Sequence, residues 1–445
     1  MASWQFPSEL ASWITALAAV LDARVQHRLP EMLWGLLFAR GRRTVSSWLR
    51  ALGVRRDYEE RYYFLGSLGH KCQEVASGVL RLIARQLPLG PRVLLALDDT
   101  PTKRYGPKVE GAGIHHNPTP GPVGQAFLYG HVWVTLAWVV RHPRWGTIAL
   151  PVAARLYVRL QDIGLLRLLY KWQFRTKLEL AAQLLEWAAR CLQYLGKTVW
   201  IVADGAYAKR PFLERATSAH VTVVSRLRKD AALYDLPAAP KAGQRRRGRP
   251  RKYGATRIDL AKRAGQSRAW QVDEFAIYGQ QVSKRYKTFL ATYRPAGGMI
   301  RVVLVKNDDG SWVAYFCTAV DASVAEILEA VADRSAIEQV FHDVKEVHGA
   351  GQQQLRNVWA NVAAWHLHLW TYTLVELWAW RRSKRALCDR SDSPWDDPAR
   401  RPSHADRCKA LRRQCLETEF TRHAAAVRLP RKIRAFIARL AKRAA

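Results

Sequence analysis

"RVLLALDDT", residues 92–100, decides how the chain is read. Val93 to Leu97 form an unbroken apolar run of strand length, the pattern of a strand buried on both faces of a sheet, and Asp98 closes it. "TVWIVADGAY" (198–207) repeats the pattern and closes on Asp204. "DRSAIEQVFHDVK" (333–345) has helical spacing and carries Arg334, Glu338 and Lys345. In open α/β sheets, sites form beyond the carboxyl ends of strands. Two strand-end aspartates and a helix-borne glutamate would bring three carboxylates to one such edge. Carboxylates suit Mg2+, a hard cation that keeps several waters and takes few protein ligands beside a substrate phosphate. Two such ions about 4 Å apart can clamp the attacking and leaving oxygens of an in-line displacement.

The sequence around these segments sets the fold class. "AFLYGHVWVTLAWVV" (126–140) and "GTIALPVAARLYV" (146–158) read as strands joined by the turn-rich "RHPRWG". A long amphipathic helix is expected over 175–195 and a short one over 208–219, with a further strand over 221–228. The order β-β-β-α-β-α-β is that of an RNase H-like sheet. The expected class is therefore α/β: a mixed sheet flanked by helices, formed by 89–228 and 321–380. Residues 1–88 read as a helical DNA-binding domain, and 381–445 as a basic helical region. Residues 237–254, rich in Pro, Gly and Arg, read as a linker. Alternating β-branched and aromatic stretches follow, with the turn "NDDGS" (307–311) between the last two, so 229–320 reads as linker plus a β-rich insertion.

Composition points to a polyanionic partner. Among 445 residues, 71 Lys+Arg stand against 37 Asp+Glu, a net charge of +34 with a pI of about 10.4. Nucleic acid is the first candidate and an anionic membrane surface the competitor. The 49% hydrophobic content and 18 Trp imply a large core beneath that charge. The most apolar stretch, 357–380, contains Asn361, His366, His368 and Glu376, so it reads as a buried helix and no membrane span is expected. The N-terminus carries no signal-peptide pattern. Cys72, Cys191, Cys317, Cys388, Cys408 and Cys415 form no C-x-x-C pair, which argues against a zinc site and fits a reducing cytosol.

Each carboxylate also has an ordinary reading. A strand-end Asp often caps a turn. Arg334, Glu338 and Lys345, at i, i+4 and i+11, share one helix face, which also suits a surface ion-pair ladder. Alternation sends Asp99 to the face opposite Asp98. The three acids in order around five strands favour one site over three coincidences.

The combination resembles a DDE transposase of the bacterial insertion-sequence type, with an RNase H-like core. That family carries Y-x2-R-x3-E-x6-K around its catalytic glutamate. Here Arg334, Glu338 and Lys345 keep R-x3-E-x6-K, while Val331 stands at the tyrosine position. "LDDT" and "ADGAY" match the family's aspartate segments, and the likeness spans roughly 40–380. The resemblance implies that Asp98, Asp204 and Glu338 are the catalytic metal ligands for Mg2+, with Mn2+ able to substitute. It implies double-stranded DNA as partner, both terminal inverted repeats and target, cleaved and joined by cut-and-paste transposition. Two element ends need two active sites, so a homodimer on DNA is expected, in the bacterial cytoplasm at the nucleoid. The alternatives are a DNA-binding regulator on an inactive scaffold and a non-mobile nuclease with the same core.

Further basic residues are candidate DNA contacts. Arg334 and Lys345 would hold phosphates beside the metals. Lys103 and Arg104, with Lys108, follow Asp98 in what reads as a loop. Arg42, Arg43 and Arg50 flank a helix-turn-helix-like segment, 42–54, which also reads as an ordinary amphipathic helix with a basic face. Arg247, Arg249, Arg251 and Lys252 lie in an AT-hook-like strip that could enter an A·T-rich minor groove or simply touch phosphates. His115 and His116 read as loop residues, since hard magnesium does not favour imidazole. Trp270 and Trp312 of the insertion read first as core residues, while the resemblance implies that some aromatic of the insertion can stack on a flipped base.

Overall fold

Four helices open the chain: α1 (Ser8–Ala18), α2 (Arg28–Phe38), α3 (Val45–Ala51) and α4 (Glu59–Gln86). Strands β1 (Arg92–Lys103), β2 (Gly113–His116), β3 (Phe127–His142) and β4 (Gly146–Tyr157) follow. Next come α5 (Gly164–Tyr170), α6 (Lys177–Leu192), β5 (Thr198–Ala203), α7 (Arg210–Ser218) and β6 (Thr222–Leu227). The β-rich segment supplies β7 (Leu233–Tyr234), β8 (Arg257–Ile258), α8 (Leu260–Gly265), β9 (Gln271–Ile277), β10 (Gln280–Tyr293), β11 (Gly298–Lys306) and β12 (Trp312–Cys317). Helices α9 (Val324–Asp333), α10 (Ser335–Glu346), α11 (Val358–Ala379), α12 (Lys384–Leu387), α13 (His404–His423) and α14 (Arg431–Ala444) complete the order. This computed structural model describes residues 5–117, 124, 126–238, 251–390, 393, 395–423 and 431–444.

The described strands form one mixed sheet of twelve. β4, β3 and β1 pair antiparallel, and β1, β5 and β6 run parallel. This is the RNase H-like arrangement expected from the order of elements. The β-rich segment is less separate than the sequence suggests. β12 pairs antiparallel with β6, so β12, β11 and β10 prolong the same sheet. Backbone pairing at the edge of β6 satisfies donors and acceptors that would otherwise need water.

α11 is the central packing element. Every residue but Trp359 is buried. Its polar side chains have specific work. The β3–β4 register shifts where Leu136 faces Ala153 but Ala137 faces Pro151, leaving Val152 as a bulge. The carbonyls freed there are taken by α11: Trp370 Nε1 donates to Val152 O and Thr373 Oγ1 to Pro151 O. His366 Nε2 accepts from the Ala154 amide. No described helix is long and apolar enough to cross a membrane.

The N-terminal helices pack directly on α11. Gly69 of α4 lies against it so closely that an added Cβ would sit 2.2 Å from the Trp359 carbonyl oxygen. Trp48, on the inner face of α3, is fully buried and meets His368 of α11 edge-on at 5.5 Å. Thr44 caps α3 by accepting from the Ser47 amide. The segment read as helix-turn-helix-like thus has its apolar face in the common core, with Arg42 and Arg50 left on the outer side.

Candidate active site

The parallel pairing of β1 with β5 ends at Leu97 opposite Ala203, and the next residues are Asp98 and Asp204. β1 itself does not end there. It continues along antiparallel β3 to Lys103, with Asp98 opposite Thr135 and Asp99 opposite Val134. The two aspartates therefore mark where β5 leaves the ladder. Asp204 turns the chain into a short 3-10 segment; its carboxylate accepts from the Ala206 amide at 3.5 Å, the limit of a hydrogen bond, and remains exposed. The cap expected of a strand-end aspartate is present only in this weak form.

α9 and α10 form a nearly continuous helical segment that is interrupted at Arg334, which ends one and begins the other. The junction is fixed by Asp333, whose carboxylate accepts from Arg141 Nε (3.0 Å) and Thr147 Oγ1 (2.6 Å) on β3 and β4. From there Arg334 reaches back to β1. Its Nη1 is 2.5 Å from Asp98 Oδ2 and its Nη2 is 2.8 Å from Glu338 Oε1. Burial works against the charged guanidinium, but Asp98, Glu338 and Asp204 hold its pKa above the ordinary arginine value. All three carboxylates thus act on one cation.

Asp98 is the most enclosed of the three. Its side chain is 19% exposed, against 58% for Glu338. Burial pushes its pKa up to about 6, although Arg334 and the Asp99 amide both pull it down. One guanidinium does not compensate for placing this carboxylate out of water, so the site is short of positive charge. The donors are oxygens only, two of the three carboxylates are open to solvent, and a cation already sits among them. That chemistry fits a hard divalent ion that keeps waters and takes a phosphate oxygen. The Arg334 guanidinium bridges Asp98 and Glu338.

Asp99 lies on the other side of β1. Its oxygens accept from Tyr207 Oη (2.8 Å) and Lys177 Nζ (2.6 Å). Both partners escaped the sequence reading, although "ADGAY" contains the tyrosine.

Several residues expected at DNA are used differently. Arg104 is the first residue after β1, but it is buried, with its amide still donating to the Tyr129 carbonyl of β3. Its Nε donates to His131 Nδ1 and its Nη1 to the Gly351 carbonyl. Burial lowers its pKa to about 9. Asp98, Thr100, Thr102 and Arg104 share a face by alternation, and α10 covers it. Lys345 is likewise internal: Nζ donates to Thr100 Oγ1 at 2.6 Å, and burial lowers its pKa to about 8. Neither offers a free charge to a phosphate in this structure. Arg43 is partly buried, with its amide on Gln352 Oε1. Lys103, Arg42, Arg50, Arg251 and Lys252 are exposed. Arg247 and Arg249, the core of the AT-hook-like strip, lie outside the described residues. Arg42 and the segment after β1 are brought together: Arg42, Tyr105, Lys108 and Arg356 line one cleft of about 380 Å³.

His115 lies on β2, not on a loop, and is buried; burial, with Arg159 and Lys177, lowers its pKa to about 4. Trp270 and Trp312 are partly buried and already under cations, Lys287 and Lys229 respectively. The exposed aromatic of this segment is Tyr278, missed by the sequence reading. It sits at the β9–β10 turn with φ 53 and is 72% exposed. Tyr278 and Glu338 line the same cavity, of about 680 Å³. Val331, at the family's tyrosine position, packs against the core.

Residues 16–287 match the family model described as DDE superfamily endonuclease. Glu338 lies beyond that matched stretch. Among solved structures, the cryo-EM structure of the piggyBac transposase synaptic complex with hairpin DNA aligns over 97% of this chain and 81% of that one, at 10% identity and a TM-score of 0.39. No curated protein matches the sequence. The family model spans well over half of the chain and includes both strand-end aspartates, and on that ground the chain belongs to the DDE superfamily endonucleases.

Proposed function

We propose that this protein is a DNA transposase that binds terminal inverted repeats, cleaves at the element ends and joins the freed 3′-OH to target DNA. The observation that carries the reading is the cluster of Asp98, Asp204 and Glu338 around Arg334, where β5 leaves β1. Asp98, Asp204 and Glu338 would hold Mg2+, with Mn2+ able to replace it. When bound, the metal supplies Lewis-acid polarisation of the scissile phosphate and activation of the attacking oxygen.

The chain's own residues do the rest. Asp98 is set rigidly by β1 and by the Asp99 amide, so it positions what it binds. Asp204, just beyond β5, and Glu338, on α10, are both exposed to solvent. Arg334, released from the carboxylates as their charge is compensated, would turn to a non-bridging phosphate oxygen. Its planar fork suits that contact. Lys345 and Arg104 hold β1 to α10 and to the Gly351 segment behind the site. Tyr278 stands where an aromatic could stack on an unpaired base. The net charge of +34, with exposed Arg42, Lys103, Lys108 and Arg356, provides the electrostatic path for DNA. Helices of 1–88 and the basic 381–445 region would contact the ends, and two copies would pair them.

A linear duplex carrying the inverted repeat that flanks the gene, incubated with protein and Mg2+, tests the reading. Cleavage at the repeat boundary followed by joining to a second duplex is expected. Cleavage without joining would favour a plain nuclease. Binding without cleavage in Mg2+ or Mn2+ would favour a DNA-binding regulator.

A further inference from the structure

A second cluster, with no part in the carboxylate site, lies where the segment after α10 meets α13. His348 Nε2 is 2.7 Å from His404 Nε2. Cys408 Sγ is 3.4 Å from His404 Nε2 and 3.7 Å from His348 Nε2. All three residues are at most 3% exposed, and their ligand atoms lie within 4.8 Å of one another. His404 and Cys408 are one helical turn apart on α13, so both side chains project from the same face.

The surroundings orient this set. His404 Nδ1 bonds Glu376 Oε1 at 2.7 Å, and Glu376 Oε2 accepts from Arg407 Nη1 at 2.5 Å. A carboxylate on the far nitrogen fixes the tautomer and turns the Nε2 lone pair toward the other two groups. That relay is the usual partner of a metal-bound histidine. Without a metal, one of the two Nε2 atoms must carry a proton for them to lie 2.7 Å apart. With a metal, two nitrogen lone pairs and a thiolate converge. Tetrahedral zinc, with Zn–N about 2.05 Å and Zn–S about 2.3 Å, needs N···S near 3.5 Å and N···N near 3.4 Å. The sulfur spacings already meet this, and the two rings need to part by only about 0.7 Å. A further imidazole lies close by, outside the set whose ligand atoms fall within 4.8 Å of one another. The His368 ring on α11 is 6.3 Å from that of His348, fully buried, and neither of its nitrogens has a hydrogen-bond partner among the described residues.

We propose that His348, His404 and Cys408 bind a structural Zn2+, with His368 able to complete the tetrahedron. The ion would tie α13 to the segment that follows α10, the helix carrying Glu338, and to α11. The spacing escapes a motif search because His348 and His404 are 56 residues apart.

Metal analysis of the full-length protein, purified without chelator and dialysed against Mg2+, tests this. About one zinc per chain is expected, retained in Asp204→Ala and Cys415→Ser and reduced at least tenfold in Cys408→Ser. Should Cys408→Ser not fold, two measurements on the native chain decide. Cobalt(II) added to the chelated protein should give a thiolate charge-transfer band, and Cys408 should resist alkylation until the metal is removed. A native chain with less than about a tenth of an equivalent of zinc and no cobalt band would overturn the proposal. So would full zinc content in Cys408→Ser.

Discussion

Alanine at Asp98, Asp204 or Glu338 is expected to lower metal-dependent cleavage of an end-bearing duplex by about 10³-fold or more, while binding of the same duplex stays within about twofold. The size follows from electrostatics: removing a single preorganised group aimed at developing transition-state charge already costs about 10²–10³. A missing metal ligand removes more, because it displaces the ion that polarises the phosphate. The three acids act as one unit, so a double Asp98→Ala/Asp204→Ala protein should be hardly worse than either single variant. Binding should persist because affinity for duplex rests on counterion release by basic groups elsewhere on the surface. Gel-shift and single-turnover cleavage on the same preparations separate the two effects. A variant that cleaves like the native protein would remove that residue from the site.

Arg334→Ala should have the next largest effect, and in two directions. Arg334 holds Asp98 at 2.5 Å and Glu338 at 2.8 Å, so it competes with a metal for the same oxygens. Without it, the Mg2+ concentration for half-maximal cleavage should fall. The maximal rate should also fall, by roughly 10²–10³, because the guanidinium is lost from the phosphate. Arg334→Lys should recover only part of the rate, since an ammonium cannot serve two oxygens in one plane. A Mg2+ titration of single-turnover rates reads both effects. An unchanged maximal rate would mean that Arg334 serves only to hold the metal-free site together.

The sheet and the main helices are legible because their signals are local. Apolar runs set β1, β3, β4, β5 and β6, and the polar residues of α11 mark it as buried rather than membrane-spanning. The fate of the β-rich segment is not legible. Nothing in its alternating pattern says that β12 will dock on β6, a pairing of distant segments fixed by tertiary packing. Asp98 as the end of β1 is a natural misreading, since the apolar run does stop there. The alternation does not stop, however. Carried on through Thr100 and Thr102, it places Arg104 on the covered face and Lys103 on the open one, as found. That alternation does not place Lys345, whose bond to Thr100 depends on how α10 packs on β1. Tyr278 has no sequence signal beyond its place before Gly279 in a hairpin turn.

The assignment of Asp204 as a metal ligand is tested most directly by replacing it with cysteine and comparing metals. A thiolate is a poor ligand for hard Mg2+ and a better one for softer Mn2+. Single-turnover cleavage by Asp204→Cys should be lost in Mg2+ and recover by about tenfold or more in Mn2+, whereas Asp204→Ala should be inactive in both. Equal cleavage by Asp204→Cys and the native protein in Mg2+ would contradict the assignment.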